Sequence, residues 1–138
     1  MRGCIANTDY DWYEFLRRQP DLSEVNFCQP SGSRAFKAIS PGAPLFFRLK
    51  SPHNAIGGFG CFALHRILPA WLAWESFGVA NGAPDLQTMR RRIEKYQKDA
   101  APGPTGDYQI GCLMITDPIF LGRDEWVRQP VDWKRPIQ

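Results

Sequence analysis

Short apolar runs and longer periodic stretches alternate along the chain, and they predict different elements. Apolar runs bounded by turn residues predict five strands, at residues 2–6, 25–28, 44–50, 55–64 and 109–115. Helical spacing predicts a helix at about residues 9–18, a short helix behind Pro69, and a third helix after Asp85. In that third helix the apolar positions follow i, i+3, i+7 and i+10, at Leu86, Met89, Ile93 and Tyr96. Strands and helices in this order predict an α+β domain.

Turn and cap residues refine this prediction. The sequence Gly57-Gly58-Phe59-Gly60 indicates a bulged or strongly curved strand, and such curvature suggests a small β-barrel of about five to six strands flanked by helices. Thr8 and Asp11 have the spacing of a capping box ahead of the first helix, and Asp85 is the expected cap of the third. The C-terminal piece with Trp126 and Trp133 is expected to be irregular.

Composition supports one globular domain. The chain has 138 residues, of which 43% are hydrophobic and 22% charged, which is the balance of a folded protein rather than a disordered one. We therefore predict a single domain over residues 1–138. Its longest apolar runs are far shorter than the roughly 18 residues that cross a bilayer, and the N-terminus does not resemble a signal peptide. No membrane association and a cytoplasmic location are the expectations.

The chemistry-bearing residues do not form a familiar catalytic or metal motif. Four cysteines lie far apart without a C-x-x-C pair, so buried free thiols are expected and no metal or cofactor is predicted. Phosphate-binding loops, nucleophile elbows and H-E-x-x-H motifs do not occur. A Cys28–His53 or Cys61–His65 nucleophile pair stays open, because activation depends on spatial contact.

Charge is unevenly distributed along the chain. Residues 25–74 contain no Asp or Glu and carry a formal charge of +5, whereas the remainder of the chain carries −2. Such a segment suits a surface that accepts a phosphate backbone, although buried strands also lack acids. Both interpretations remain open from sequence.

Two groups of residues suit the binding of a planar base. Asn7, Thr8 and Tyr10 lie at the start of the first helix, where short polar side chains and free N–H groups can bond a base edge or a phosphate. Trp71 and Trp74 are three residues apart on one helix and could stack on a base, or they could belong to the core.

The order of these features resembles the PUA-like superfamily, in particular its EVE and YTH branches and, more distantly, the SRA branch. The resemblance rests on Asn7-Thr8-Asp9-Tyr10-Asp11-Trp12, Val25-Asn26-Phe27-Cys28-Gln29-Pro30-Ser31, Ile39-Ser40-Pro41-Gly42, Gly57-Gly58-Phe59-Gly60, Trp71-x-x-Trp74 and Phe77-Gly78. It covers nearly the whole chain. The chain is most similar in this sense to the specificity domain of HNH restriction endonucleases that attack modified DNA.

The resemblance implies a pocket that receives a flipped, modified base. Asn7 to Tyr10 match the loop that bonds the base, and Trp74 or Trp71 matches a wall of the aromatic cage. Cys28 stands where such readers often have another aromatic, which leaves open a pocket with a smaller wall there or one walled by Tyr10 or Trp12 instead. The expected contacts to the nucleic-acid backbone are Ser31, Ser33, Arg34, Lys37, Lys50, His53 and Asn54.

The function expected from this resemblance is non-catalytic recognition of double-stranded DNA carrying 5-methylcytosine or 5-hydroxymethylcytosine, with a nuclease domain in a longer parent protein. Binding of modified RNA is one alternative, and an interaction domain without a nucleic-acid role is another. A further alternative is an ASCH-type hydrolase of modified nucleosides. That activity would need a lysine beside a carboxylate in the pocket, and Lys50 or Lys37 with Asp11 or Glu75 are the candidates from sequence.

Overall fold

The computed structural model describes residues 3–30, 40–96 and 108–128, which form six strands and three α-helices. The strands are β1 (Cys4–Thr8), β2 (Glu24–Gln29), β3 (Pro44–Leu49), β4 (Ala55–Pro69), β5 (Gln109–Phe120) and β6 (Val127–Arg128). The helices are α1 (Tyr10–Arg17), α2 (Ala70–Phe77) and α3 (Leu86–Glu94), and a 3-10 turn, Gly78–Asn81, follows α2. The predicted α+β class and strand number are confirmed.

All six strands belong to one mixed sheet. Its order is β1-β3-β4-β5-β2, with β6 paired to β4 outside this path. β1 runs parallel to β3, and the other neighbours are antiparallel. Within the described ranges β1 and β2 are the two ends of the sheet and do not pair, so the sheet is open rather than closed into a barrel. This order brings the residues after β1 next to the end of β3.

The glycines of β4 mark irregular pairing, as the sequence predicts. The register shifts between Phe59 and Cys61 against β5, and again between Phe62 and Leu64. A Cβ atom at Gly60 would collide with the side chain of Ile115 on β5, so a side chain at this position would push the two strands apart.

The two predicted helix caps have different outcomes. Asp85 caps α3, and its Oδ1 accepts a hydrogen bond from the Thr88 N–H at 2.7 Å. The predicted capping box of α1 is wrong, because Thr8 is the last residue of β1 and its hydroxyl donates to the Ala6 carbonyl at 2.9 Å. The N-cap residue is Asp9, whose side chain does not cap the helix. The Asp9 carboxylate is bonded elsewhere, as described below.

The hydrophobic core has two parts. The first lies between the sheet and α1 and includes Trp12, Leu45 and Leu113. The second lies under α2 and α3 and includes Met89 and Ile93. Of the C-terminal piece, which we expected to be irregular, residues 127–128 form β6, and Trp126 is buried in the first cluster. Trp133 lies outside the described residues.

None of the helices in the described ranges is long and apolar enough to cross a membrane.

Candidate active site

A cavity of about 450 Å³ opens between the two core clusters. This volume is in the range of roughly 300–1,000 Å³ that small-molecule sites occupy. The sheet provides one wall with Ala6, Leu45 and Leu113, and α3 provides another with Met89 and Ile93. These residues make most of the cavity apolar, so its few polar groups determine what chemistry it can support.

Three polar side chains that follow the ends of β1, β3 and α3 bond to one another in the lining. The Lys50 ammonium lies 2.9 Å from Asp9 Oδ1, and it donates to the Tyr96 hydroxyl at 3.1 Å. The Tyr96 hydroxyl in turn donates to the same Asp9 oxygen at 2.8 Å. All three residues line the cavity. We call Asp9, Lys50 and Tyr96 the Asp9–Lys50–Tyr96 trio.

The trio forms because of the sheet order. Asp9 directly follows β1 and Lys50 directly follows β3, and these two strands run parallel with Thr8 opposite Leu49. The Lys50 N–H also donates to the Thr8 carbonyl, which extends the pairing to the site. Tyr96 closes the group from the end of α3. The first two members are therefore fixed by backbone pairing.

The trio favours the charged forms of both ionisable partners. Burial by itself would raise the pKa of the Asp9 carboxyl, but hydrogen bonds from Lys50 and Tyr96, with the Lys50 charge, bring this pKa below its ordinary value. Burial would lower the pKa of Lys50, and the bonds to Asp9 and Tyr96 raise it above the ordinary value. At neutral pH the site holds an ammonium beside a carboxylate. The Lys50 and Asp9 side chains keep 40% and 27% of their surface exposed, so a solute can reach both.

Arg92 is a second cation in the cavity lining. It is half-buried on α3, and its Nη1 donates to the Gly82 carbonyl at 2.5 Å. The charged side chains of the lining are thus Lys50, Arg92 and Asp9. Together they give the lining a formal charge of +1.

Cys28 lies in the lining, at a polar junction between β2 and the 3-10 turn. Its thiol donates to Asn81 Oδ1 at 3.8 Å, and Asn26 Nδ2 donates to the same oxygen at 2.8 Å. Burial and the neighbouring Cys112 raise the pKa of Cys28, so the thiol is uncharged. The structure thus pairs Cys28 with amides rather than with His53, its possible partner in a nucleophile pair.

Of the four aromatic residues expected around the base, Trp12 lines the cavity. Its ring meets Phe27 and Phe47 edge-on, and its Nε1 donates to the Asn26 carbonyl at 3.3 Å. The other aromatic rings of the lining are Phe27 and Tyr96, which sequence reasoning did not select.

Trp71 and Trp74 do not line the cavity. Trp71 is 42% exposed on α2, and Trp74 packs against the second core cluster, which corresponds to the core alternative considered from sequence. The α2 helix buries its own Ala70 and Ala73 in that cluster, and none of its residues is part of the cavity lining.

Asn7, Thr8 and Tyr10 separate in space although they are close in sequence. Asn7 lines the cavity and its Oδ1 accepts a bond from Arg48 at 3.0 Å. Thr8 is buried outside the lining. The Tyr10 hydroxyl donates to Glu14 at 2.6 Å, and its ring stacks on His53 with centroids 4.4 Å apart. Strand and helix geometry direct these three side chains to different places.

The residues expected at the nucleic-acid backbone are only partly described. Lys50 belongs to the trio, and His53 lies outside the lining, between Tyr10 and Trp126. Asn54 also lies outside it and accepts a bond from Arg48 Nη2 at 3.2 Å. Ser31, Ser33, Arg34 and Lys37 lie outside the described residues.

The carboxylate partner of Lys50 differs from both sequence candidates. Asp11 and Glu75 are exposed and do not line the cavity. Asp9 takes this place, and sequence reasoning passed over it as part of a loop. The sequence analysis also did not select Tyr96 and Arg92 as site residues. Tyr96 stands at the end of the apolar stripe of the third helix, and Arg92 belongs to a run of three arginines. The sequence signal for Tyr96 was its hydroxyl at the end of that stripe.

No family model matches the sequence, and no curated protein is significantly similar to it. In structure the chain is similar to ASCH proteins of Zymomonas mobilis. A Tyr-to-Phe mutant of ZmASCH superposes with a TM-score of 0.54 at 12% identity, over 88% of this chain and 77% of that one. ASCH itself superposes with a TM-score of 0.52 at 9% identity, over 83% of this chain and 67% of that one. A Ser-to-Ala mutant of ZmASCH superposes with a TM-score of 0.55 at 12% identity, over 86% of this chain and 74% of that one.

These similarities show the fold, which is the PUA-like fold of ASCH domains. They support the predicted PUA-like fold and give no support to the EVE, YTH or SRA branches or to a restriction-endonuclease specificity domain. They also correct the expectation of a non-catalytic domain, because the similar structures are ASCH domains, the type for which hydrolase activity was the alternative. An open PUA-like sheet with a lysine–carboxylate pair in its cavity is what the described residues establish.

Proposed function

We propose that this chain is a hydrolase of modified nucleosides and that Asp9, Lys50 and Tyr96 act in catalysis. The observation that carries the proposal is the Lys50–Asp9 pair, 2.9 Å long, in the wall of a cavity of about 450 Å³. An ASCH-type hydrolase was expected to need this combination, and the fold is that of ASCH domains.

The cavity suits a nucleobase next to reactive polar groups. Apolar walls from Leu45, Leu113 and Met89 would cover a flat heterocycle, and Trp12 and Phe27 add aromatic surface. The trio lies in the same lining, so a substituent on the base edge can reach it.

The charges of the trio assign roles to its members. Lys50 uses two N–H groups within the trio, and its third N–H is available to an oxygen on which negative charge develops. Asp9 Oδ2 has no hydrogen-bond partner among the described residues, so it can orient a water and accept its proton. The lowered pKa of Asp9 makes it a modest base. We therefore assign the larger contribution to catalysis to the Lys50 charge.

This arrangement suits a substituent attached to an exocyclic nitrogen through a carbonyl carbon. The water oxygen bonds to that carbon while its proton moves to Asp9, and the resulting oxyanion is stabilised by Lys50. The carbon–nitrogen bond then breaks, and the proton passes from Asp9 to the leaving nitrogen. The products are the unmodified nucleoside and a carboxylic acid.

The test is turnover of nucleosides that carry an exocyclic N-acyl group, an N-alkyl group or no substituent, with products separated by chromatography. We expect the N-acyl nucleosides to be hydrolysed, and Lys50→Met to lower kcat by about 10²–10³-fold, the effect of losing one oxyanion donor. Lys95→Met is the matched control, since exposed Lys95 also lies over the Tyr96 ring, at 4.9 Å, but does not line the cavity.

Asp9→Asn forms a second pair with Asp11→Asn, which removes the same charge from an exposed position. We expect loss of turnover in the first variant alone. Folded wild-type protein that hydrolyses no modified nucleoside would contradict the proposal, as would full activity in Lys50→Met.

A second candidate is capture of a modified base from a polynucleotide, whether DNA or RNA. It is favoured by a cationic side chain next to the cavity, because Arg48 bonds cavity-lining Asn7 at 3.0 Å. Anisotropy with modified and unmodified duplexes and RNA, at several salt concentrations, tests it. Preference for one modified strand with a log–log salt slope of about −3 to −5 would support four or five phosphate contacts. Equal affinity for all strands would contradict it.

A further inference from the structure

We propose that Arg92 is an anion-binding residue in the cavity and that the substrate is a nucleotide carrying a phosphomonoester rather than a free nucleoside. This inference rests on the proposed function, because it specifies the substrate of the same cavity.

The first observation is how Arg92 is held. It lines the cavity, is half-buried, and uses one Nη1 bond to the Gly82 carbonyl. A guanidinium has five N–H donors, so most of them remain for a ligand. Arg92 forms no ion pair with a carboxylate of the described residues, whereas its helix neighbour Arg90 pairs with Glu94 at 2.9 Å.

The second observation is the charge of the lining. The trio contains a cation already balanced by Asp9, and Arg92 adds a positive charge that has no carboxylate partner among the described residues. A half-buried charge of this kind is costly unless an anion compensates it. A phosphate group provides that charge, with oxygen acceptors that match the guanidinium fork.

The third observation is position. Arg92 lies in the last turn of α3, and Tyr96 follows four residues later, just past the end of that helix. Both line the cavity, but Tyr96 contacts Lys50 and Asp9, whereas Arg92 bonds Gly82. The anion site and the trio are therefore separate parts of one cavity lining. One ligand can occupy both places, with its phosphate at Arg92 and its modified base at Lys50.

A structural role for Arg92 is separable from anion binding. A cation in the last turn of a helix also favours the helix dipole, and Arg91 shares that position. Arg91 is exposed and does not line the cavity, so Arg91→Gln removes the same charge and dipole interaction without touching the site.

The test is calorimetric binding of the four common ribonucleosides and their 5′-monophosphates, which is independent of turnover. For at least one base, we expect the monophosphate to bind about tenfold more tightly than the nucleoside, or better. The advantage should disappear in Arg92→Gln and persist in Arg91→Gln. Equal affinities of nucleoside and monophosphate in the wild type, or equal losses in both variants, would overturn the proposal.

Two further measurements separate anion binding from stability and a phosphomonoester from a phosphodiester. Arg92→Lys keeps the charge but lacks the guanidinium fork, and it should retain part of the phosphate advantage even if Arg92→Gln lowers Tm. A short oligonucleotide without terminal phosphates should bind no more tightly than a nucleoside; tighter, Arg92-dependent binding would overturn the phosphomonoester assignment in favour of a phosphodiester.

Failure of the anion site and failure of the proposed hydrolase are distinguishable. Lys50→Met should lose turnover and keep the phosphate advantage. A phosphate advantage without turnover in the wild type would contradict the hydrolase alone, and turnover without a phosphate advantage would contradict the anion site alone.

Discussion

At the scale of single residues, Asp9 occupies an N-cap position without capping its helix. An aspartate at an N-cap position ordinarily accepts a bond from the first turn of its helix, as Asp85 does for α3. Asp9 has that position before α1 but makes no such bond, because its carboxylate is held by Lys50 and Tyr96. The missing capping bond of Asp9 is therefore the local feature that marks the site.

The same residue leads to a pH prediction. The pKa of Asp9 lies below its ordinary 3.8, so its charge stabilises the fold above pH 3.8 and this contribution is lost as pH falls further. The pKa of Lys50 lies above its ordinary 10.5, so its contribution is present below pH 10.5 and is lost as pH rises further. Between these limits the pair stays charged.

Asp9→Asn should lower the pKa of Lys50, because burial continues to disfavour the ammonium after its carboxylate partner is removed. NMR titration of the lysine side chains measures this directly. Asp11→Asn should leave the Lys50 titration unchanged. Titration of Lys50 at the same pH in wild type and Asp9→Asn would contradict the described ion pair.

At the scale of elements, sequence patterns predicted the helices and five of the six strands, but not which strands are neighbours in the sheet. The glycines of β4 predicted bulges, and the spacing of Leu86, Met89 and Ile93 predicted α3. No local pattern indicates that β1 lies parallel to β3, since that pairing joins segments some forty residues apart. Lys50 could therefore be named as a candidate, whereas its partner Asp9 could not.

The turn before α3 gives a second prediction. Gly82 has a φ of 85°, and a Cβ there would collide with the Trp12 ring, so this glycine allows Trp12 to line the cavity. Gly82→Ala should destabilise the protein by about 1–3 kcal/mol, from backbone strain and overpacking. Chemical denaturation measures the change in the free energy of unfolding.

Gly42→Ala is the matched control for that variant. Gly42 has a similar φ of 89° with open space around it, so it isolates backbone strain from the collision with Trp12. Equal destabilisation by the two variants would show that Trp12 is not pressed against this turn.

At the scale of the whole molecule, the cavity joins two otherwise separate hydrophobic clusters. The sheet and α1 form one cluster and α2 with α3 forms the other, and residues of both line the cavity. A ligand there contacts both, and at 100 times its Kd it should stabilise the folded state by about 2.7 kcal/mol.

Hydrogen exchange locates this stabilisation. With a bound N-acyl nucleoside on the Lys50→Met variant, which should bind without turnover, we expect slower exchange in β1 and β3 and also in α3. Protection confined to one of the two clusters would contradict the placement of the ligand between them.

The acid-free segment also belongs to this scale. Its charge of +5 suggested a phosphate-binding surface, and of its described cations Lys50 is neutralised by Asp9. Arg92, which has no carboxylate partner among the described residues, lies on α3 outside that segment. A count of charges along the sequence does not show which cations are paired, because pairing depends on which strands become neighbours.

Isotope incorporation tests whether the Asp9–Lys50–Tyr96 trio carries out the proposed hydrolysis. N-acyl nucleosides and their 5′-monophosphates are incubated in H₂¹⁸O with wild-type protein and with Lys50→Met, and the released carboxylic acid is analysed by mass spectrometry. We expect one ¹⁸O atom in each acid released by the wild type and little release by the variant. If folded wild-type protein releases no acid, or if both proteins release it equally, the trio does not carry out this hydrolysis.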